Sequence, residues 1–300
     1  MQIFYLTSIN MDILNSIVIH YTNMMALGDP RVESWAFMGS PFPTLMTLTA
    51  YFIFVYNGPG IMKDRKPFDL KFILIIYNFF MVFLSFYIFV EIGLGGWFTD
   101  YSLGCQPVDY SNSPKAIRMA RAIWLFLITK YIELSDTVFF VLRKKQNQLT
   151  FLHVYHHGWL PFSWWLGVKF VPGGFGTFHA WINAFVHTVM YLYYGLAALG
   201  PSVQKYLWWK KYITTLQLAQ FVIVITHTSQ IIFLRDCDYP PPFAYAILIY
   251  TLSFFFLFMK FYRKTYRKTT SVQEEGKPST FYKNGLVRNG QSNGFKPKNN

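Results

Sequence analysis

From Leu70 to Ile92 the chain is apolar almost throughout, with Lys71 at its margin and Glu91 at its far end, and Ala244 to Met259 carries no charge at all. A helix of about 20 apolar residues matches the roughly 30 Å hydrocarbon core of a bilayer. Only helices and closed barrels satisfy every backbone polar group there. Such runs exclude an ordinary water-soluble domain and predict a helical membrane protein. Charge content agrees, since 14% of residues are charged and 53% hydrophobic, against about 25% charged in a typical soluble protein. The net charge of +13 invites a nucleic-acid reading. The basic residues, however, sit at the ends of the apolar runs, as membrane flanks do, and no nucleic-acid partner is expected.

Seven spans are predicted: Trp35–Tyr56, Leu70–Ile92, Ile117–Leu142, Phe151–Phe170, Phe175–Leu196, Tyr212–Leu234 and Phe243–Tyr262. Basic residues orient them. With the N-terminus lumenal, the cytosolic side collects Lys63, Arg65, Lys66, Lys71, Arg143, Lys144, Lys145, Lys205, Lys210, Lys211 and the many cations from Lys260 onward. The opposite side keeps only Arg31, Lys115, Arg118, Arg121, Lys169 and Arg235, a strong positive-inside bias. The expected organisation is a lumenal segment 1–34, a seven-helix all-α bundle 35–268 and a disordered cytosolic tail 269–300, rich in Gly, Ser, Asn and Lys. No cleavable signal peptide is expected, because no basic n-region and small-residue cleavage site precede the first span. Cys105 and Cys237 both fall in lumenal loops of this topology, where a disulfide persists, so a Cys105–Cys237 bridge is predicted. Two unrelated free thiols are the alternative.

Polar residues inside spans carry the functional signal. His153, His156 and His157 lie at i, i+3 and i+4, on one face of the fourth span. Buried imidazoles in a membrane need partners or work, and imidazole serves as base, nucleophile or metal ligand. Lys130, Glu133 and Asp136 form a stripe on the third span, either as a helix–helix salt bridge or as carboxylates orienting a histidine of the next span. Asn183, His187 and Tyr191 stack at four-residue spacing on the fifth, and Thr214, Gln217 and Gln220 at three-residue spacing on the sixth. Such stripes on neighbouring helices predict an enclosed polar chamber open to one aqueous side. His20, His179 and His227 lack such company and read as structural.

Three chemistries compete for this chamber. The H-x-x-H-H pattern occurs in membrane di-iron oxygenases, but here it occurs once, and the seven histidines form no second box. A mononuclear metal site stays open. Thiol catalysis has no cysteine on the cytosolic side, which leaves imidazole as the best nucleophile for an acyl group. A non-enzymatic receptor or transporter is the third reading, and catalytic-type side chains beside cationic loops argue against it.

The motifs Lys130-x-x-Glu133-x-x-Asp136-Thr137, His153-x-x-His156-His157, Asn183-x-x-x-His187-x-x-Met190-Tyr191-x-Tyr193-Tyr194 and Thr214-x-x-Gln217-x-x-Gln220 together resemble the ELO family. These are very-long-chain fatty acid elongases of the endoplasmic reticulum membrane. The resemblance runs from roughly Trp35 to Lys268. The context Gly167-Val168-Lys169-Phe170 with Gly173-Gly174 and Gly176-Thr177-Phe178-His179 is similar to the branch handling saturated and monounsaturated chains.

The resemblance implies decarboxylative condensation of a long-chain acyl-CoA with malonyl-CoA to 3-oxoacyl-CoA, CO2 and CoA. In that reading His156 is the nucleophile and His187 the acid–base group. His153 and Asn183 donate hydrogen bonds to developing oxyanions, while Asp136 and His157 orient the others. Lys130, Tyr193, Thr214 and Gln217 line the substrate channel. Arg143, Lys145 and Lys210, with Lys144 and Lys211, face the CoA phosphates, and Gln148 the pantetheine arm. No cofactor or resident metal is implied beyond the two CoA substrates. The implied partners are the bilayer and the other enzymes of the elongation cycle, with a homodimer left open. The ending Lys296-Pro297-Lys298-Asn299-Asn300 is similar to a K-x-K-x-x retrieval signal, and the chain holds no N-x-[ST] glycosylation acceptor.

Overall fold

The computed structural model describes residues 2–267 other than residue 235, with side chains from residue 13 on. The tail 269–300 and its dilysine-like ending lie outside the described residues. Among the described residues there is no strand. Ten α-helices follow in order: α1 Gln2–Ala26, α2 Phe42–Ile61, α3 Lys71–Ile92, α4 Pro114–Ile132, α5 Leu134–Leu142, α6 Phe151–Phe170, α7 Thr177–Ala198, the single turn α8 Pro201–Gln204, α9 Lys210–Ser229 and α10 Pro241–Tyr262. Three helical stretches are long and apolar enough to cross a membrane on composition alone: Lys71–Trp97, Lys210–Ile232 and Pro241–Tyr266. The chain is an all-helical, multi-pass membrane protein.

The helices track the expected spans closely, with three differences. α2 begins at Phe42, seven residues after the predicted start at Trp35. Pro43 occupies its first turn, where proline's missing N–H costs nothing, and the preceding residues turn instead of coiling, with Phe37 at a left-handed φ of 70°. The expected third span is two helices, α4 and α5, interrupted at Glu133. The segment 1–34 contains α1, a helix the apolar-run criterion leaves unmarked because Asn10, Asp12, Asn15 and Asn23 punctuate it.

Residues up to Met259 form one compact unit, and the chain from Lys260 forms a second, of which the end of α10 and the π-helical turn Arg263–Arg267 are described. Within the first unit α3 packs along α7, α4 against α3 and α6, α2 against α5 and α6, and α9 against α7. Close approach is set by small residues, as in membrane bundles generally. A Cβ on Gly158 of α6 would meet the Phe52 ring of α2 at 2.5 Å. The interior is dense with large side chains: Phe126, Leu127, Trp165 and Val168 are all buried. Trp165 donates its indole N–H to the Phe37 carbonyl at 2.8 Å.

One end of the bundle is tied down. The sulfurs of Cys105 and Cys237 lie 2.05 Å apart in a disulfide that joins the loop after α3 to the loop before α10. Beside it, Gly174 adopts a left-handed φ of 69° with the carbonyls of Gln106 and Pro107 at 2.8 Å from where a Cβ would stand. Only glycine fits that crossing, and the Phe175 N–H then donates to the Gln106 carbonyl at 2.7 Å.

Candidate active site

Thr150 starts α6 by accepting the His153 backbone N–H on its hydroxyl at 3.2 Å, and this N-cap places all three histidines in the first two turns. They form one cluster. The ring centroids of His153 and His157 are 4.2 Å apart, and those of His156 and His157 are 5.2 Å apart. His156 also packs on Phe254 of α10, centroids 5.0 Å apart. His153 Nε2 lies 2.8 Å from the Thr137 hydroxyl, which itself lies 3.2 Å from the Tyr51 hydroxyl of α2.

The break between α4 and α5 builds the second cluster. The Glu133 N–H still bonds the Thr129 carbonyl at 2.8 Å, but the Asp136 N–H turns back to Glu133 itself at 3.1 Å, a tight three-residue turn. Glu133 Oε1 accepts from Lys130 Nζ at 2.8 Å and from His187 Nδ1 at 3.1 Å. Lys130 Nζ reaches the Asn183 side-chain oxygen at 3.4 Å and sits over the Phe126 ring at 4.4 Å. Lys130, Glu133, Asn183 and His187 are all buried. A carboxylate can only accept, so the His187 Nδ1 carries the proton and its Nε2 is left with a lone pair. The clusters share one interior: Lys130, Glu133 and His187 all lie within electrostatic reach of His156.

The sequence reading has Asp136 orienting a histidine; in the structure its Oδ2 accepts the Tyr191 hydroxyl of α7 at 2.9 Å, beyond the break at Glu133. The carboxylate that holds a histidine is Glu133, and the histidine is His187 of α7, not one of the α6 triplet. His153, the expected oxyanion donor, has its Nε2 engaged by Thr137.

The remaining site residues spread outward. Tyr193 packs edge-on against Trp209, with centroids 5.1 Å apart. Thr214 is buried, and Gln217 donates to the Met190 sulfur at 3.4 Å. Arg143 is half-buried, while Lys145, Gln148 and Lys210 are exposed. Lys144, at a left-handed φ of 54°, donates to the carbonyls of Lys63 and Arg65 at 2.8 and 3.1 Å and ties the loop before α3 to the basic run. His179, set aside as structural, lies two turns from His187 on the same face of α7. It is buried and bonded through Nδ1 to the Tyr250 hydroxyl at 2.8 Å. Its eight-residue offset from His187 was the available signal. Among the described residues no group of three or more His, Cys, Asp or Glu side chains converges at metal-ligand spacing.

Residues 36–274 match the family described as ELO: GNS1/SUR4. The very long chain fatty acid elongase 7 of Rattus norvegicus is 52% identical over 259 residues, 86% of this chain and 92% of the relative. The very long chain fatty acid elongase 1 of Mus musculus is 50% identical over 273 residues, 89% and 98% of the two chains. The very long chain fatty acid elongase 4 of Macaca mulatta is 48% identical over 295 residues, 95% and 92%. The family match takes in α6, α7, the Lys130–Glu133 turn and the basic run, and with half the residues shared over nearly full-length relatives, this chain belongs to the ELO family.

Proposed function

We propose that this protein is a very-long-chain fatty acid elongase that condenses a long-chain acyl-CoA with malonyl-CoA through an acyl-histidine intermediate. The observation that carries this reading is that the His153–His156–His157 cluster and the Lys130–Glu133–His187 network lie within electrostatic reach of each other inside an apolar bundle. It acts as a multi-pass endoplasmic-reticulum protein with seven spans, formed by α2, α3, α4 with α5, α6, α7, α9 and α10. The N-terminus is lumenal and the basic loops are cytosolic. The cation distribution supports that orientation.

In the first step an imidazole nitrogen of His156 attacks the thioester carbonyl. The carbon–sulfur bond breaks, CoA leaves as the protonated thiol, and an N-acyl imidazole remains. Malonyl-CoA then loses CO2, and the electron pair of the broken carbon–carbon bond becomes the enolate of acetyl-CoA. Its carbon attacks the held acyl carbon, the carbon–nitrogen bond breaks as the departing imidazole nitrogen takes up one proton, supplied in net from solvent, and 3-oxoacyl-CoA leaves with neutral His156 restored. Splitting the reaction in this way replaces one hard step by two easier ones.

His187 has its Nδ1 proton held by Glu133, so its Nε2 is the group available to receive or return a proton. The Lys130 ammonium, held by Glu133, offers N–H donors where enolate charge develops, in a site where little water competes for them. Asn183, His153 and His157 position these groups. Arg143, Lys145 and Lys210, with Gln148, receive the CoA phosphates and pantetheine arm at the basic rim. The reaction needs no resident metal or organic cofactor.

The test is incubation of purified enzyme with acyl-CoA alone. One equivalent of CoA should be released, and intact-mass and peptide analysis should place the acyl group on His156. Turnover with malonyl-CoA but no adduct at any time would make His156 a base in a direct attack. Activity that tracks bound iron or zinc would return the metal reading.

A further inference from the structure

A cleft of about 550 Å³ opens between α3, α4 and the segment before α2, with no histidine in its lining. Its walls carry Trp35, Tyr87, Glu91, Arg118, Arg121 and Trp124, over an apolar floor that includes the buried Ala122. Its size is in the range of small-molecule sites. Trp124 donates its indole N–H to the Ala36 carbonyl at 3.0 Å and packs edge-to-face on Trp35, centroids 5.7 Å apart. The aromatic walls are therefore fixed.

The charges in it are uneven. Arg118 Nε donates to Glu91 Oε2 at 2.8 Å, which neutralises both. Arg121 is exposed and, among the described residues, makes no ion pair or hydrogen bond. It stands seven residues into α4, about 10 Å along the axis from Pro114. Glu91 stands six residues before Trp97, where the apolar stretch containing α3 ends, so both charges lie at similar depth. Tyr87, Trp35 and Trp124 surround them, the side chains that collect at a membrane interface. An arginine at that depth on a lipid-facing groove is costly unless a counter-ion meets it.

We infer that this cleft is a binding site for an anionic phospholipid. Its phosphodiester sits on the Arg121 guanidinium and one acyl chain lies along the α3–α4 seam. The groups balance: the cleft carries one net positive charge, and a phospholipid with a single phosphodiester and an uncharged headgroup carries one negative charge. Guanidinium matches phosphate in a fork geometry. A zwitterionic phosphatidylcholine brings a second cation into a site whose only carboxylate is already paired, and binds less well.

The test uses the full-length protein in neutral detergent with a phosphatidylglycerol bearing a photoactivatable acyl chain. Labelling is expected on peptides covering Tyr87–Glu91 and Pro114–Leu125. Unlabelled phosphatidylglycerol should compete, while phosphatidylcholine and inorganic phosphate at the same concentration should not. Arg121→Gln should lower labelling about tenfold, and Arg121→Lys less, as expected when a fork of charged hydrogen bonds is lost or reduced to a point charge. Several outcomes overturn the proposal. They are labelling unchanged in Arg121→Gln, equal competition by phosphatidylcholine, displacement by inorganic phosphate alone, and a groove that a second copy shields from the probe. Should Arg121→Gln fail to fold, the competition series on the unaltered protein decides alone.

Discussion

Glu133 and His187 meet at 3.1 Å across two helices, from positions 54 residues apart in the chain. The same carboxylate oxygen holds Lys130 at 2.8 Å. One residue thereby fixes the tautomer of the proposed acid–base histidine and neutralises a buried ammonium. Glu133→Gln keeps the shape but removes the charge, and its amide can present N–H to His187 as readily as oxygen. The expected result is a fall in kcat of about 10- to 100-fold, typical of losing the partner that orients a functional histidine, with KM changed far less. The stranded Lys130 should also destabilise the fold by about 3–5 kcal/mol. Lys130→Met in the same chain should recover most of the stability but not the rate, measured by thermal unfolding and steady-state condensation. Full activity in Glu133→Gln would remove the tautomer argument.

The two histidines assigned to chemistry separate by step. His156→Ala should lower condensation by about 10⁴-fold or more, as removal of a covalent nucleophile does, and should leave no acyl adduct. His187→Ala should lower turnover by about 10²- to 10⁴-fold, the span of general acid–base effects. Because capture precedes the enolate step, His187→Ala should still release CoA from acyl-CoA and accumulate the acyl-enzyme. Intact-mass spectra of both variants after acyl-CoA addition check this. An adduct in His156→Ala would move the nucleophile elsewhere.

Helix positions were readable where local chemistry marks both ends, and less so where tertiary contacts set them. α6 runs from Phe151 to Phe170 as expected, because Thr150 caps it and Pro172 follows shortly after. The break at Glu133 was not readable. No glycine or proline marks it, and the turn serves contacts to α7 that spacing along one helix does not reveal. For the same reason the stripe Lys130, Glu133, Asp136 was legible while its partners were not. Glu133 takes His187, and Asp136 takes Tyr191 from 55 residues away. The His153–His157 face was legible because i, i+4 geometry is intrinsic to a helix. The link from Thr137 to His153 depends on how α5 and α6 pack.

The loop between α3 and α4 should respond to acid through Asp109. Hydrogen bonds from Ser111 hold this carboxyl below its ordinary range, and the Ser111 N–H donates to Asp109 Oδ1 at 2.8 Å. A depressed carboxyl stabilises the fold above its unfolded value, and the contribution is lost as pH falls through the folded one. Amide exchange at Ser111–Ser113, corrected for intrinsic rates, should therefore accelerate only below the ordinary carboxylate range. Asp109→Asn should flatten that acid limb. Protection independent of pH in the unaltered chain would mean that the carboxylate does not hold the loop.

Cys105 and Cys237 close a sequence separation of 132 residues. In a chain-entropy account a loop of that order stabilises a soluble protein by nearly 5 kcal/mol. A membrane chain unfolds less far, because its apolar helices persist in lipid, so the loop-closure gain is smaller. We expect about 2–4 kcal/mol, the typical range for a disulfide. Cys105→Ala, Cys237→Ala and the double variant should lower thermal stability by the same amount, since each removes the same bond. Reductant should lower the unaltered protein to that level and leave the variants unmoved. The loss should appear first as faster exchange around Gly174 and Phe175, whose backbone leans on Gln106 beside the bridge. Condensation measured well below the unfolding temperature should be little changed, because none of the proposed catalytic side chains touches either cysteine. Unequal single variants, or a double variant less stable than both, would show that one thiol has a separate packing role.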